Sequence, residues 1–250
     1  MSLLAGKAVL VTGGSRGLGR AIALGCAEAG ADLALGGRNA ADLEAVAGDV
    51  RQLGRRAVCL PADLADPAAI ERMVSGAAEA LGRLDVLINN AGIAGREAKA
   101  IDLTADDWDE VYRINLRAPA LCAKAAARVM QGGVIVNIAS ISATVPLSRL
   151  APYCSTKAAL VQLTKVLAIE LAPLGIRVNA VCPGYFTTPM NEEFFGDPKR
   201  REAVERASVL RRIGSPEELA PIVTLLASDS SSYMTGAAIV VDGGLTLRGG

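Results

Sequence analysis

The chain has 250 residues, with 26 basic and 26 acidic side chains and therefore no net charge at pH 7. Nucleic-acid and anionic-membrane binders need a basic surface, so we expect neither kind of partner. Hydrophobic residues make up 51% of the chain, which is too apolar for a disordered protein. No apolar run reaches the roughly 18 residues of a membrane-spanning helix.

Histidine is absent, which excludes a Ser-His-Asp triad and the common zinc sites, and we expect no metal. The first residues show no charged segment followed by a long apolar one, so no signal peptide is predicted. An odd number of widely spaced cysteines is typical of reduced thiols in a cytoplasmic protein. The cysteines are Cys26, Cys59, Cys122, Cys154 and Cys182.

Short apolar runs alternate along the chain with longer stretches of helical periodicity. The predicted strands are Ala8–Val11, Leu33–Leu35, Ala57–Leu60, Val86–Asn89, Val134–Ala139, Arg177–Cys182 and Ala238–Val241. The predicted helices are Arg16–Ala29, Asn39–Leu53, Asp66–Leu81, Thr104–Met130, Tyr153–Leu171 and Ser215–Ala227. This alternation favours an α/β protein with a doubly wound (Rossmann) seven-stranded parallel sheet in three αβα layers. No linker divides the chain, so a single domain over residues 1–250 is expected.

The least regular stretch, Pro183–Gly214, is longer than an ordinary connection. We interpret residues 185–212 as a lid that contributes to substrate specificity. Phe194 and Phe195 lie in this segment of a chain that is only 3% aromatic. They either cover an apolar substrate or pack as ordinary core residues.

The turn between the first strand and the first helix is rich in glycine. Glycines let a backbone approach a pyrophosphate closely, and a helix amino terminus offers free N–H groups to it. An ordinary glycine-rich turn is the alternative, because the spacing is not G-x-G-x-x-G and no Lys-Ser/Thr follows as in a P-loop. The residues predicted to bind the phosphates are Gly13, Ser15, Arg16, Gly17, Leu18 and Gly19.

The end of the second strand indicates which nicotinamide cofactor the chain uses. An acidic residue there would bind the ribose 2′-hydroxyl and repel a 2′-phosphate. This chain has Gly36-Gly37-Arg38 instead. Arg38, helped by Arg16, could bind the phosphate through charge-assisted hydrogen bonds, which favours NADP while leaving NAD possible. The alternative is that Arg38 is a solvated surface residue.

Three residues form a candidate catalytic group. Tyr153 and Lys157 are four residues apart and share one helix face. Ser140 follows the fifth strand, and ligands of open α/β sheets bind outside the carboxyl ends of the strands. Taken singly, each has an ordinary structural explanation: packing, a solvated surface or a cap.

Together with the glycine turn, these residues resemble the short-chain dehydrogenase/reductase family in its form of about 250 residues. The resemblance covers essentially the whole chain. The matching motifs are Thr12-Gly13-x-x-x-Gly17-x-Gly19, Asn89-Asn90-Ala91-Gly92, Asn115, Ser140, Tyr153-x-x-x-Lys157, Pro183-Gly184 and Val241-Asp242-Gly243-Gly244.

The resemblance implies hydride transfer between a nicotinamide cofactor and a ketone or secondary alcohol. Tyr153 would be the general acid or base, with a pKa that the nearby Lys157 ammonium lowers. Ser140 would donate a hydrogen bond to the substrate oxygen, and Lys157 would also bind the nicotinamide ribose. Asn115 would hold a water that links Lys157 to solvent. A non-catalytic nucleotide-sensing protein on the same fold is the alternative from a different class.

The same resemblance implies the remaining ligand contacts. Asp63 and Leu64 would contact the adenine, although Asp63 could equally be a turn residue. Tyr185 would contact the substrate together with Ser140 and Tyr153. The other residues expected at the cofactor are Asn90, Ala91 and Gly92 beside the ribose and Pro183, Gly184, Phe186 and Thr188 around the nicotinamide.

The substrate and the assembly are predicted only by resemblance. The run Pro183–Asn191 is similar to that of sugar-acid dehydrogenases of the gluconate type, and a polyol is also possible. The rest of the chain is equally similar to 3-oxoacyl-thioester reductases. A homo-tetramer is expected, built through the two long helices and the last strand, and the tail Leu245–Gly250 could reach a neighbouring subunit.

Overall fold

The computed structural model describes residues 2–248, and within them seven strands form one parallel sheet. The strand order is β3-β2-β1-β4-β5-β6-β7, which confirms the predicted doubly wound sheet in a single domain. The strands are β1 (Ala8–Thr12), β2 (Asp32–Gly37), β3 (Ala57–Pro61), β4 (Val86–Asn89), β5 (Gly133–Ile138), β6 (Ile176–Pro183) and β7 (Ala238–Val241).

Helices cover both faces of this sheet. They are α1 (Gly17–Glu28), α2 (Ala40–Gln52), α3 (Pro67–Leu81), α4 (Ala105–Tyr112), α5 (Ala118–Val129), α6 (Ala151–Leu171), α7 (Glu192–Phe195), α8 (Pro198–Ala207) and α9 (Ala220–Ala227). In the described part of the chain, no helix is long and apolar enough to cross a membrane.

The strand pleat divides the core into two layers. Val9 and Val11 of β1 pack with α1, α2 and α9 on one face. Ala8 and Leu10 point the other way and pack with α3, α5 and α6. Because β1 is buried on both sides, it reads as a continuous apolar run in the sequence, whereas β7 at the sheet edge alternates between exposed and half-buried residues. The two clusters produce the three layers that the strand–helix alternation predicts.

The helix predicted over Thr104–Met130 is interrupted in its middle. Thr104 caps α4 as expected, and the structure adds a capping box with Asp107. A π-helical turn at Arg113–Arg117 then separates α4 from α5. The N–H of Ala118 donates to the Arg113 carbonyl, five residues back. Pro119 follows at once and has no N–H to donate to the Asn115 carbonyl, its partner in a regular α-helix. The chain therefore cannot continue as one uninterrupted α-helix here.

Two other helix boundaries also differ from those predicted. α6 begins at Ala151, two residues early, because Pro152 is well suited to a first helical turn. The Ser215 capping box begins a 3₁₀ segment, Pro216–Leu219, and α9 follows it. The stretch Pro183–Gly214, read as irregular, contains the short helices α7 and α8.

The strand order places a crevice between β1 and β4. β1 pairs with β2 on one side and with β4 on the other. The connections that leave the carboxyl ends of these strands therefore diverge to opposite faces. Open α/β sheets bind ligands at such a point.

The close contact of α1 with α9 depends on a glycine. A Cβ added at Gly25 would lie 2.5 Å from the Ala220 Cβ, much closer than two methyl groups can approach. We expect Gly25→Ala to lower the free energy of unfolding by about 1–3 kcal/mol, because the helices must move apart. Urea unfolding measures this change.

Gly48, within α2, is the matched control. A Cβ there meets no atom within 4 Å. Gly48→Ala should therefore raise the free energy of unfolding by about 0.5–1 kcal/mol, because alanine loses less backbone entropy in a helix. A stabilising Gly25→Ala would show that the two helices do not need this close approach.

Candidate active site

A cavity of about 1080 Å³ opens at the carboxyl edge of the sheet. Asn115 is the one predicted site residue outside its lining; it is fully buried behind the wall. The predicted residues that line the cavity are Gly13, Ser15, Arg16, Gly17, Leu18, Gly19, Arg38, Asp63, Leu64, Asn90, Ala91, Gly92, Ser140, Tyr153, Lys157, Pro183, Gly184, Tyr185, Phe186 and Thr188.

The glycine turn presents the amino terminus of α1 to this cavity. Gly13 and Gly17 have φ angles of 66° and 54°, a conformation that favours glycine. No side chain caps α1 and its first turn holds no acidic residue, whereas Asn39 caps α2 and Asp66 caps α3. The first N–H groups of α1 are thus left for another acceptor. The turn therefore fits the phosphates of a dinucleotide.

The turn is held against β4 by Thr12 and Asn90. The Asn90 Nδ2 donates to the carbonyls of Thr12 at 2.9 Å and Gly13 at 3.1 Å, and the Asn90 backbone N–H donates to the Thr12 hydroxyl at 3.0 Å. A Cβ added at Gly19 would lie 2.5 Å from the same Asn90 Nδ2. The phosphate turn is therefore a fixed part of the sheet edge rather than a free loop.

Arg16 and Arg38 are both exposed at one end of the cavity. Within residues 2–248, neither forms an ion pair. Both guanidinium groups are therefore able to bind an anion there, as the NADP interpretation of Arg38 requires.

Asp63 forms a turn, which is one of the two roles that the sequence allows for it. Its Oδ1 accepts a hydrogen bond from the Ala65 N–H at 2.9 Å. This turn does not exclude an adenine contact, because the carboxylate has a second oxygen. Leu64 beside it is largely buried and lines the cavity.

The three candidate catalytic residues lie together at the other end of the cavity. The Lys157 Nζ donates to the Ile138 carbonyl at 2.8 Å, at the end of β5, and lies 5.8 Å from the centre of the Tyr153 ring. Lys157 is only 4% exposed, and burial lowers its pKa to about 8. The amine thus remains mostly an ammonium at pH 7. Ser140, two residues beyond Ile138, accepts a hydrogen bond from the Ser142 N–H at 3.1 Å.

The pKa of Tyr153 differs in direction from the sequence-based expectation. Desolvation by the surrounding atoms raises the pKa of this phenol, and the Ser140 hydroxyl opposes the rise. The buried Lys157 ammonium does not reverse the effect in this chain by itself. Ser140 and Lys157 both lie beside Tyr153 as predicted, but desolvation of the phenolate has the larger effect on the pKa of Tyr153.

The Asn115 side chain fixes the segment that follows β4. Its Oδ1 accepts from the Ile93 N–H at 2.9 Å, and its Nδ2 donates to the Ile93 carbonyl at 2.8 Å. Nδ2 also lies 3.4 Å from the Thr156 hydroxyl. These contacts occupy both polar atoms of the Asn115 side chain. The water expected beside Asn115 stays a prediction.

The segment after β6 is anchored on the turn after β7. The Gly184 N–H donates to the Val241 carbonyl at 2.9 Å, and a Cβ at Gly184 would lie 2.7 Å from the Asp242 Cβ. Phe186 is buried, and Thr188 reaches the glycine turn, where a Cβ on Gly17 would touch its side chain at 3.5 Å. This segment therefore closes the cavity over the amino terminus of α1.

Comparisons with known proteins agree with this geometry. A family model described as enoyl-(acyl carrier protein) reductase matches residues 13–246. An L-rhamnose 1-dehydrogenase (NAD(P)+) of Sphingomonas sp. (strain SKA58) is 40% identical over 253 residues, which cover 99% of each chain. A D-threitol dehydrogenase of Mycolicibacterium smegmatis is 38% identical over 251 residues, which cover 98% of this chain and 95% of the relative.

A solved structure extends the similarity to three dimensions. The crystal structure of a short-chain dehydrogenase from Burkholderia cenocepacia J2315 in complex with NADP has a TM-score of 0.92 and 39% sequence identity, covering 97% of this chain and 99% of that one. The chain belongs to the short-chain dehydrogenase/reductase family. It is therefore an oxidoreductase, as the motifs predicted.

This short-chain dehydrogenase/reductase also has cavity residues that the sequence did not single out. They come from two loops with no regular spacing and from α7 and α8, where no motif marks them. Pro119 is a different case, because a proline inside a predicted helix could have indicated the π-helical turn. The unpredicted lining residues include Ile93, Ile141, Leu147, Leu150, Glu193 and Arg200.

The buried ammonium of this dehydrogenase predicts a pH-dependent stability. Lys157 has a pKa of about 8 in the folded chain against an ordinary value of 10.5. The folded state therefore disfavours the charged amine, a cost of about 3 kcal/mol that is fully present below pH 8 and disappears as the pH rises to 10.5. Lys157→Met should raise the free energy of unfolding at pH 7, and this gain should shrink between pH 8 and 10.5.

Urea unfolding at several pH values tests this expectation. Lys165→Met, the same change at an exposed position of α6, controls for the loss of one lysine. A gain for Lys157→Met that is equally large at pH 7 and pH 10 would show that the buried amine is not the cause.

Proposed function

We propose that this enzyme transfers a hydride between NADP(H) and a ketone or secondary alcohol, with Tyr153 as the general acid or base. The observation that carries the proposal is that Ser140, Tyr153 and Lys157 line the same cavity as the uncapped amino terminus of α1. One end of the cavity fits a dinucleotide phosphate, and the other holds a proton donor and acceptor. A nucleotide-sensing protein has no use for the second group.

The chemistry divides between the cofactor and the chain. A bound nicotinamide supplies or accepts the hydride. In alcohol oxidation, the carbinol carbon loses a hydride while the carbinol oxygen gives its proton to the Tyr153 phenolate, leaving a ketone. In reduction, the developing alkoxide takes the proton from the Tyr153 hydroxyl. The Ser140 hydroxyl donates to the same oxygen and holds it in place.

Lys157 supplies positive charge at this step. Its ammonium is fixed by the Ile138 carbonyl, 5.8 Å from the Tyr153 ring centre. An ammonium in so buried a site stabilises the phenolate more strongly than it would in water. Because desolvation raises the Tyr153 pKa in the chain, a second positive charge is needed, and an oxidised nicotinamide carries one. The base would thus form when the oxidised cofactor is bound.

The assignment of NADP rests on Arg38 and Arg16. Both are exposed at the cavity, and the residues that end β2 are glycines rather than an acid. The NADP complex of the Burkholderia cenocepacia dehydrogenase supports the same cofactor. NAD remains a second cofactor, as the name of the L-rhamnose relative allows for that protein.

For the substrate we favour a neutral sugar or polyol. Two relatives of nearly full length are named for L-rhamnose and D-threitol, which supports the carbohydrate interpretation of Pro183–Asn191 over a 3-oxoacyl thioester. A sugar acid is the alternative, because two similar solved structures, at 33% and 36% identity, are described as putative gluconate dehydrogenases. The lid places both a carboxylate, Glu193, and a cation, Arg200, at the cavity. Turnover of a panel of sugars, polyols, sugar acids and acyl thioesters distinguishes these classes.

We also propose the homo-tetramer and the cytoplasmic location that the sequence predicts. Val166 and Ile169 are exposed on α6, and Trp108 and Tyr112 on α4. β7 is the last strand of the sheet and leaves an edge for another subunit. Of the tail predicted to reach a neighbour, residues 249–250 lie outside the described residues.

Tyr153→Phe tests the proposed acid. The variant keeps the ring and loses the hydroxyl, so we expect NADP(H) affinity and folding to persist while kcat falls about 100- to 10,000-fold. Cofactor fluorescence measures the binding, and cofactor absorbance measures turnover. Tyr233→Phe removes a hydroxyl from a fully exposed tyrosine and should leave both unchanged. Near-normal turnover of Tyr153→Phe would refute the role.

Arg38→Asp tests the cofactor assignment. A carboxylate in place of the guanidinium repels a 2′-phosphate and accepts a hydrogen bond from a 2′-hydroxyl. The ratio of kcat/KM for NADP to that for NAD should fall at least about tenfold at low ionic strength, which corresponds to about 1.4 kcal/mol. Arg128→Asp makes the same charge change away from the cavity. A ratio that stays constant in Arg38→Asp would assign Arg38 to the solvent.

A further inference from the structure

The aromatic residues of the lid are not spread through it. Tyr185, Phe194 and Phe195 form one cluster in a chain that is 3% aromatic. Phe195 is buried beneath the other two, whereas Tyr185 and Phe194 both line the cavity. The sequence left open whether Phe194 and Phe195 cover a substrate or pack in the core. Phe194 belongs to the cavity surface, and Phe195 packs beneath it.

The ring of Tyr185 is fixed from several directions. It stacks on Phe194 at 5.8 Å with an angle of 5° between the rings, and it meets Phe195 edge to face at 5.8 Å. Its carbonyl accepts from the Gly214 N–H at 3.1 Å. A side chain held in this way presents its hydroxyl at a defined position with little entropic cost on binding.

The Tyr185 hydroxyl has no hydrogen-bond partner among residues 2–248, although the side chain is half-buried. This hydroxyl is not one of the buried polar atoms that lack a partner, so it is accessible from the cavity and available to a ligand. Tyr185 and Tyr153 line the same cavity. Burial raises the pKa of Tyr185 itself, so this hydroxyl keeps its proton and can donate.

The sheet explains why the two phenols are close. Val181 of β6 is in register with Ile138 of β5, so the ends of these neighbouring strands reach the same level. Ser140 and Tyr185 follow these ends by a few residues, and Tyr153 comes from the start of α6 beside them. A substrate whose reacting oxygen contacts Ser140 and Tyr153 therefore lies next to Tyr185.

We propose that the Tyr185 hydroxyl binds a second hydroxyl of the substrate, on the carbon next to the reacting carbinol. The substrate class is then a vicinal diol, or the α-hydroxyketone that it forms on oxidation. This inference rests on the proposed function and adds the feature of the substrate that the enzyme recognises. Neighbouring hydroxyls of a diol lie within hydrogen-bonding reach of each other, which suits two phenols placed side by side.

The rest of this end of the cavity fits an uncharged diol. Ile141, Leu147 and Leu150 supply apolar contacts for the carbon skeleton. The lid cation that lines the cavity, Arg200, already lies 3.6 Å from an Asp197 carboxylate oxygen and 5.3 Å from the Phe194 ring centre. It is therefore poorly suited to hold the phosphates of an acyl carrier.

Tyr185→Phe tests the proposal, because it removes the hydroxyl and keeps the stacked ring. The probes are matched pairs: vicinal cyclohexanediol with cyclohexanol, and vicinal butanediol with secondary butanol. In the wild-type enzyme the diol of each pair should have the higher kcat/KM. In Tyr185→Phe this preference should fall about five- to tenfold, as expected for one neutral hydrogen bond, because the diol loses more kcat/KM than the mono-alcohol of the same pair.

Tyr233→Phe is the matched control, since Tyr233 is fully exposed and lies outside the cavity lining. An unchanged diol preference in Tyr185→Phe, with both members of a pair turned over, overturns this inference alone. If Tyr185→Phe lowers kcat/KM equally for diols and mono-alcohols, Tyr185 has a packing role and this inference is also overturned. The inference is overturned as well if Tyr185→Phe lowers kcat/KM for a 3-oxoacyl thioester of N-acetylcysteamine as much as it lowers kcat/KM for the diols. Failure of the wild-type enzyme to oxidise any alcohol overturns the proposed function and this inference together.

Discussion

The buried ammonium of Lys157 is the constraint on which the site depends. A charge that is 4% exposed is stable only with fixed partners, and among residues 2–248 the Ile138 carbonyl at the end of β5 accepts its hydrogen bond. This hydrogen bond joins the first turns of α6 to the central strands and thereby sets the position of Tyr153. The arrangement costs folding free energy near neutral pH. Sites that need a charge in a desolvated place commonly sacrifice stability for it.

The break between α4 and α5 is a second constraint, and it acts on the surroundings of the same Lys157 ammonium. The π-helical turn ends where Pro119 cannot donate to the Asn115 carbonyl. The Asn115 side chain then binds both backbone groups of Ile93, next to Gly92, where an added Cβ would lie 3.3 Å from the Asn115 Oδ1 and 3.4 Å from the Lys157 Nζ. Helix break, loop and ammonium are therefore packed as one unit.

The sequence was informative where one local cause determines the structure. Continuous apolar runs predicted the buried strands, and the Thr104 cap and the Gly13 turn predicted where helices begin. It failed where several effects compete. The direction of the Tyr153 pKa depends on how far desolvation of the phenolate exceeds the influence of the Ser140 hydroxyl, and only three-dimensional packing fixes that balance. α8 was missed because Pro198–Ala207 is highly charged and has no buried residue, and therefore shows no apolar periodicity.

The lid shows how one family fold can serve different substrates. Ser140, Tyr153 and Lys157 are held by strand ends and a long helix, so the reacting oxygen has little freedom. Tyr185 leaves the end of β6 at a glycine that packs against Asp242, and its ring then depends on aromatic contacts from α7. A change in α7 would therefore move the Tyr185 hydroxyl without moving the catalytic group. Recognition of the neighbouring oxygen can thus vary independently of hydride transfer, and it has to be read from the lid rather than from the motifs.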